Sequence, residues 1–307
     1  MRCPEVLKNL TVFTYDAAEF LKVVAKKGTE SDITLYHRKD GDNVYTFISA
    51  SRFPEKVSSL TDAIYPADIA IVNADQINRD FGEVVVAMDL MGLSRGYFLV
   101  SSPDKIDVVK KMTANTSMRN FGFFSGNPME LLPELEKEKH VPRFQNTMIL
   151  IDHFFKVKSV GTVALGFVLG GQVERHQKLL CSYADKEVQV RSIQVQDEDQ
   201  ESAQSGVRVG VALKNIDADE LERGMFLSDL PFQYLSSFNG KLEISPFSKI
   251  IADEVQEIFV SDEMRYQRGI IDRSSIQLEK PVLRIKDNLV VSTPNRSPRI
   301  FGKIRIA

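Results

Sequence analysis

Between residues 9 and 138 the chain alternates short apolar runs with amphipathic stretches. NLTVFTY reads as a strand, and AAEFLKVVAKKG as a helix that Gly28 ends. DITLYHR and NVYTFIS alternate as strands on either side of KDGD, where Asp40-Gly41 is a hairpin turn signal. A helix is predicted to start at Pro54, followed by a strand at DIAIVNA and a helix over EVVVAMDLMGL. A strand at GYFLVS, a helix over DKIDVVKKM, a strand at NFGFFSG and a helix over PMELLPELEKEK close the series. Alternation of this kind after one early hairpin predicts a doubly wound, mostly parallel sheet.

Near residue 140 the periodicity changes. EKEKHVPRFQN is a charged, proline-bearing linker, and beyond it helical spacing almost vanishes. MILIDHFFKV, GTVALGFVL, GQVERHQKLLCSY, KEVQVRSIQVQ and VRVGVAL read as strands separated by Gly170-Gly171, Asp185-Lys186 and Ser205-Gly206. KLEISPF, DEVQEIFVS, EKPVLRI, NLVVSTP and RIFGKIRIA form a second all-β set. The predicted fold class is therefore α/β plus all-β: a doubly wound sheet domain over residues 1–140, then β-barrels over 146–230 and 231–307.

Composition narrows the function without naming it. The 307 residues are 43% hydrophobic and 26% charged with a formal net charge of -3, an ordinary globular balance that excludes a uniformly basic coat for DNA. No run approaches the roughly 18 apolar residues of a membrane span. The segment MRCPEVLKNL is too polar, and too broken by Pro4, for a signal peptide. Cys3 and Cys181 stand in no motif, so a reducing cytoplasm is the expected setting, and sequons such as Asn295 carry no meaning there. The histidines at 37, 140, 153 and 176 show no metal-ligand spacing, and the acidic run of Asp197, Glu198, Asp199 and Glu201 lacks the glycine of a calcium loop.

The middle β segment carries a family pattern. Gly161-Thr162-Val163 entering a hairpin, Gly166, Val190-Arg191-Ser192-Ile193, Gly206, Val209-Gly210 and Glu222-Arg223-Gly224 resemble the second domain of translational GTPases of the elongation-factor Tu class. The wording is most similar to SelB-like elongation factors of methanogenic archaea, in particular an EF-Pyl-like paralogue. The resemblance is strongest over 146–229 and weaker in the last barrel, where RIFGKIRIA resembles the closing strand. In the first domain it is topological apart from YPADIAIVNA, and no counterpart of the fourth domain of SelB proteins is expected.

The resemblance implies a nucleotide site in the first domain, and there the residues depart from it. Such a site needs a glycine-rich loop to cradle phosphates, a Lys for their charge and a Ser/Thr for Mg²⁺. After the first strand this chain has Phe13-Thr14-Tyr15-Asp16-Ala17-Ala18-Glu19-Phe20, with Asp16 expected as an N-cap and Glu19 as its capping-box partner. The family's Asp-x-Pro-Gly-His corresponds to a stretch with Ser49, Ser51, Arg52 and Phe53. Its guanine-reading motif becomes Ser101-Ser102-Pro103-Asp104, and its Ser-Ala-Lys loop becomes Ser125-Gly126-Asn127. What remains of a cofactor site is Asp16, Ser49, Asp104 and Ser125. No catalytic residue, metal ligand or cofactor is expected, unless the altered site still takes GTP and Mg²⁺.

The resemblance further implies that Lys156, Lys158, Arg191, Arg208 and Arg223 border a pocket for the aminoacyl end of tRNA, with Glu201 or Ser202 at the position that stacks on the terminal adenine. Exposed strand charges or ion pairs are the bland alternative for the five cations. Three readings follow: a SelB-like homologue that binds tRNA or the ribosome without a GTP switch, a pseudo-GTPase that docks on a protein partner, and an active GTP-binding factor. Loss of four motifs together favours the first and predicts that calorimetric titration with GTP and Mg²⁺ shows no binding at micromolar affinity. A micromolar isotherm would return the chain to the active-factor reading.

Overall fold

The computed structural model describes residues 8–294 and 296–307; Cys3, Pro4 and Asn295 lie outside the described residues. The first domain holds β1 (Lys8–Tyr15), α1 (Ala18–Val24), β2 (Lys26–Glu30), β3 (Thr34–Asp40), β4 (Asn43–Ser49), α2 (Val57–Ile64), β5 (Ile69–Asn73), α3 (Arg79–Met91), β6 (Gly96–Leu99), α4 (Pro103–Thr113), β7 (Gly122–Phe124) and α5 (Leu132–Leu135). The sheet order is β2-β3-β4-β1-β5-β6-β7. β5 runs parallel to β1 and β6, and β6 to β7, whereas β3 is antiparallel to β2 and β4. Ile69 to Val72 are fully buried, as expected of a central parallel strand covered on both faces.

Three expectations need correction here. α1 stops at Val24, because Lys26 and Lys27 pair with His37 and Tyr36 and make a seventh strand; a Cβ on Gly28 would meet the His37 ring at 2.8 Å. Tertiary pairing has overridden helical periodicity. Pro54 does not open α2. It sits in a double turn, with Phe53 N–H on Ala50 O at 3.1 Å and Lys56 N–H on Arg52 O at 2.7 Å, and the helix begins at Val57. The last helix is short, a 3₁₀ turn over Pro128–Leu131 leading into α5 with Pro133 in its first turn. α3 ends as predicted at Gly92, whose φ of 75° supplies the left-handed cap.

The middle barrel contains β8 (Met148–Val157), β9 (Gly161–Gly170), β10 (Gln172–Glu174), β11 (Lys178–Cys181), β12 (Lys186–Val195), β13 (Glu198–Gln200), β14 (Ser202–Gln204), β15 (Arg208–Lys214) and β16 (Phe226–Ser228). The order β11-β16-β8-β9-β15-β12 closes through pairing of β11 with β12. GQVERHQKLLCSY, expected as one strand, is two, broken where His176 takes a φ of 70°. The interior is aliphatic, with Ile151, Val168, Val190, Ile193 and Val211 buried. Cys181 is among them, and burial pushes its thiol up to about 12, which leaves it inert.

The last barrel, β17 (Tyr234–Ile244), β18 (Glu257–Asp262), β19 (Arg265–Asp272), β20 (Ser275–Leu283), β21 (Asn288–Ser292) and β22 (Ile300–Ile306), closes in the order β17-β20-β19-β18-β21-β22. Among the described residues no helix is long and apolar enough to cross a membrane. Contacts divide the chain into two compact units: Lys139–Phe232, and Thr11–Glu138 together with Gln233–Ala307. The sheet domain and the last barrel are thus one body. α2 lies along β19 and α3 along β22.

Inside that body, beside α2, Asp262 and Glu263 are buried at the β18–β19 turn with Tyr65 and Lys286 near Glu263. Burial first, then the neighbouring Asp262, raises Glu263 well above its ordinary 4.5, with Lys286 and Tyr65 opposing. A raised folded-state pKa makes this site most favourable below the unfolded value and progressively less so as pH rises toward the folded one. Glu263→Gln, neutral at every pH, is therefore expected to stabilise increasingly as pH rises from 4.5, by up to about 1.4 kcal/mol per unit until the folded pKa is passed. Urea unfolding of both proteins across the acid-to-neutral range measures this, and parallel curves would show that the Glu263 carboxyl is not raised in the folded state.

Candidate functional site

The carboxyl ends of the strands are where an open α/β sheet binds ligands. Here β1 passes to α1 through only Asp16 and Ala17. Asp16 has a φ of 48°, and its carbonyl accepts a hydrogen bond from Asn73 Nδ2 at 3.1 Å. At the ends of β5 and β6, Asp75 Oδ1 accepts from Ser101 N–H at 2.7 Å and Ser101 Oγ at 2.8 Å, while Lys105 Nζ donates to Asp75 O. Partial burial and then Asp75 raise the Asp16 carboxyl above its usual range. Tyr15 is pushed up to about 12 by burial and by Asp80 and Asp16. Asp104 at the start of α4 is instead lowered, by a hydrogen bond from Ser102 and then its own backbone N–H. The strand tips present carboxylates and hydroxyls.

Asp16 is not an N-cap, which corrects the reading above. Ala17 occupies that position with no side-chain cap bond, and Glu19 pairs with Lys22 at 2.6 Å. Asp16 instead takes a left-handed conformation one residue before that position. Ser49 lies at the end of β4, its carbonyl accepting from Ser51 Oγ at 3.4 Å, and Ser51 in turn bonds Thr34 Oγ1. Ser125 is exposed beyond β7, and Asn127 caps the following turn through Met129 N–H at 3.0 Å. Phe53 is only 9% exposed; its ring meets Tyr15 edge-on with centroids 6.2 Å apart, and the Arg299 guanidinium lies 5.6 Å from its centre. This position is filled with packing.

The barrel cations separate into two sets. Arg208 lies on the face of β15 opposite the barrel core, in a largely buried ion pair: Nε and Nη2 donate to Asp152 Oδ2 and Oδ1, both at 2.8 Å, and the two side chains are 11% and 2% exposed. It is a structural ion pair, which removes Arg208 from the candidate RNA contacts. Arg223 is half-buried in the turn before β16. Arg191, Lys156 and Lys158 are exposed. Arg191 sits at the irregularity in β12–β15 pairing, where a strand aims an extra side chain outward. Its Nη1 donates to Val160 O at 2.9 Å, in the turn that carries Lys158, and Lys156 pairs with Asp217 at 3.2 Å. Phe154 packs on the barrel core and Phe155 is 40% exposed.

Beside this patch is a groove of about 570 Å³ lined by Arg175, Ser192, Asp199, Glu201, Ser202 and Gln204. Glu201 and Ser202 both line this groove. Arg175, not singled out by the sequence reading, donates to Glu201 at 2.9 Å and to the Arg191 carbonyl at 3.3 Å. The signal for it was the polar Glu174-Arg175-His176 interruption of an apolar strand. Among the described residues no group of three or more acidic, His or Cys side chains is arranged to hold a metal ion.

Elongation factor Tu domain 2 matches residues 161–228. The uncharacterized protein MJ0325 of Methanocaldococcus jannaschii is 37% identical over 245 residues, covering 78% of this chain and 79% of that protein. The selenocysteine-specific elongation factor of the same organism is 38% identical over 96 residues, 31% of this chain and 20% of that factor. The crystal structure of translation elongation factor SelB from Methanococcus maripaludis with the GTP analogue GppNHp shares the fold at a TM-score of 0.80 and 19% identity, over 98% of this chain and 79% of that one.

The Arg208–Asp152 pair yields a direct expectation. Arg208→Ala leaves a buried carboxylate unpaired and should cost about 3–5 kcal/mol in denaturant unfolding. Arg191→Ala, at an exposed position, should stay within about 0.5 kcal/mol of wild type. Equal costs would mean that the Arg208–Asp152 pair contributes no more to stability than an exposed arginine.

Proposed function

This chain belongs to one family with MJ0325 and is a SelB-like member of the elongation factor Tu class, and from that premise we propose that it binds tRNA or the ribosome without a working GTP switch. The observation that carries the reading is an asymmetry between its parts. The middle barrel keeps the closed architecture and sequence pattern of its class. The strand tips of the first domain carry Asp16, Asp75 and Asp104 instead of a phosphate cradle. A triphosphate binds where backbone N–H groups and positive charge converge, and the two-residue β1–α1 loop supplies neither. Lys105, at the strand tips, is directed to the Asp75 carbonyl. These groups do not fit GTP and Mg²⁺.

In the barrel, Arg191, Lys156 and Lys158 supply positive charge where an RNA backbone can lie, and the groove beside them offers polar side chains to an exposed nucleotide. With a net charge of -3 there is little long-range steering, so affinity rests on this local patch. A few phosphate contacts at about 0.7–0.9 each predict a shallow slope of log affinity against log salt. Arg191→Ala and Lys158→Ala should each weaken binding and lower that slope by about 1, while Arg284→Ala on the last barrel should do neither. Gel shifts with aminoacylated and uncharged tRNA, and cosedimentation with ribosomes, each at three salt concentrations, test this. No RNA association at low salt would leave a protein-docking role as the better reading.

A further inference from the structure

The body formed by the sheet domain and the last barrel turns on one side chain. Glu83, in the middle of α3, is 1% exposed, and Arg299, just before β22, is 17% exposed. Glu83 Oε1 accepts from Arg299 N–H at 2.9 Å, Arg299 Nε at 3.1 Å and Ile300 N–H at 3.3 Å. Its Oε2 accepts from Arg299 Nη2 at 2.7 Å and Nε at 3.1 Å. The remaining arm, Nη1, donates to the Pro54 carbonyl at 2.6 Å, and the guanidinium lies over Phe53. Arg299 therefore joins three segments: α3, the β4–α2 loop and the start of the barrel's closing strand. Farther along α2, Ser261 Oγ donates to Thr61 Oγ1 at 3.2 Å and Lys286 lies 4.3 Å from the centre of the Tyr65 ring.

We propose that the Glu83–Arg299 pair is a built-in lock, which fixes the β4–α2 loop on the last barrel in one arrangement that no nucleotide is needed to select. Buried ion pairs add little net stability but specify geometry, because any other register strands a charge. The apolar and aromatic contacts of Phe53 with Tyr15 hold the loop down, and Arg299 sets where it is held. The loop bearing Phe53 and Pro54 leaves the barrel only by giving up the Arg299 Nη1 bond to Pro54 O and the guanidinium contact with Phe53, and Glu83 holds that guanidinium in the orientation both require. This inference does not depend on the RNA-binding reading, since it concerns the other compact unit.

The test is amide hydrogen exchange by mass spectrometry on the full chain, read on the hydrogen-bonded amides of Arg52, Phe53 and Lys56, with and without millimolar GTP and Mg²⁺. In the wild type these amides are expected to exchange slowly and equally in both conditions. Glu83→Gln removes the charge but keeps the shape, and should speed their exchange at least about tenfold, leaving the middle barrel's amides unaffected. Arg299→Lys keeps the charge but cannot reach Pro54 O and Glu83 together; it should release the same loop, and it serves if Glu83→Gln does not fold. Fast exchange in the wild type, a change on adding nucleotide, or a loop unaltered in the folded variants would each overturn the lock.

Discussion

A carboxylate withdrawn from water must meet an opposite charge and enough donors to replace its hydration, and in this chain that requirement determines how distant segments meet. Glu83 is reached by Arg299 across a sequence separation of 216. In the middle barrel Asp152 is reached by Arg208, 56 residues away, from the strand beyond β9. Each pair lies within one compact unit, and in each the guanidinium also lies against an aromatic ring, Phe53 for Arg299 and Phe167 for Arg208. Neither pair could be shifted by one residue without leaving a charge unmatched. Much of the remaining packing is tolerant by comparison, since buried Val, Ile and Leu can exchange places at modest cost.

The order of elements was legible because hydrophobic spacing is a local property. The central strand at Ile69–Asn73 and the helix ending at Gly92 are where pattern and punctuation agree. β19 and the first half of β20 escaped notice because the turns flanking β19 use Glu263 and Arg273 at φ values of 56° and 55°, with no glycine or asparagine to mark them. β13, β14 and β16 span three residues each, too short for any period to show. At the site, the loss of phosphate-binding residue types was readable, whereas the partners that replaced them were not. Arg208 looked like its neighbour Arg191 because both lie on barrel strands, and only burial separates them. Glu83 did leave a trace, as a charge inside the apolar stretch FGEVVVAM, but nothing local points from it to Arg299.

At the strand tips of the first domain the loops are closed by the chain's own groups. Where a bound anion would organise backbone donors, a left-handed residue, an Asn73 amide and an Asp75–Ser101 bond close the loops on themselves. Phe53 and Tyr15 meet edge-on beside these tips. Self-satisfied polar groups and packed aromatic surface both favour a fixed conformation, because neither gains by moving.

β2 has a further consequence. The seventh strand places a new outer margin on the sheet, and a margin of unpaired backbone N–H and C=O groups is a template on which another chain can grow. This one carries Lys26, Lys27 and Glu30, all exposed, with Lys27 and Glu30 joined at 2.7 Å across its short length. A partner strand laid against it would have to strip water from charged side chains while gaining little apolar area. The addition thus lengthens the sheet and at the same time guards it against edge-to-edge aggregation.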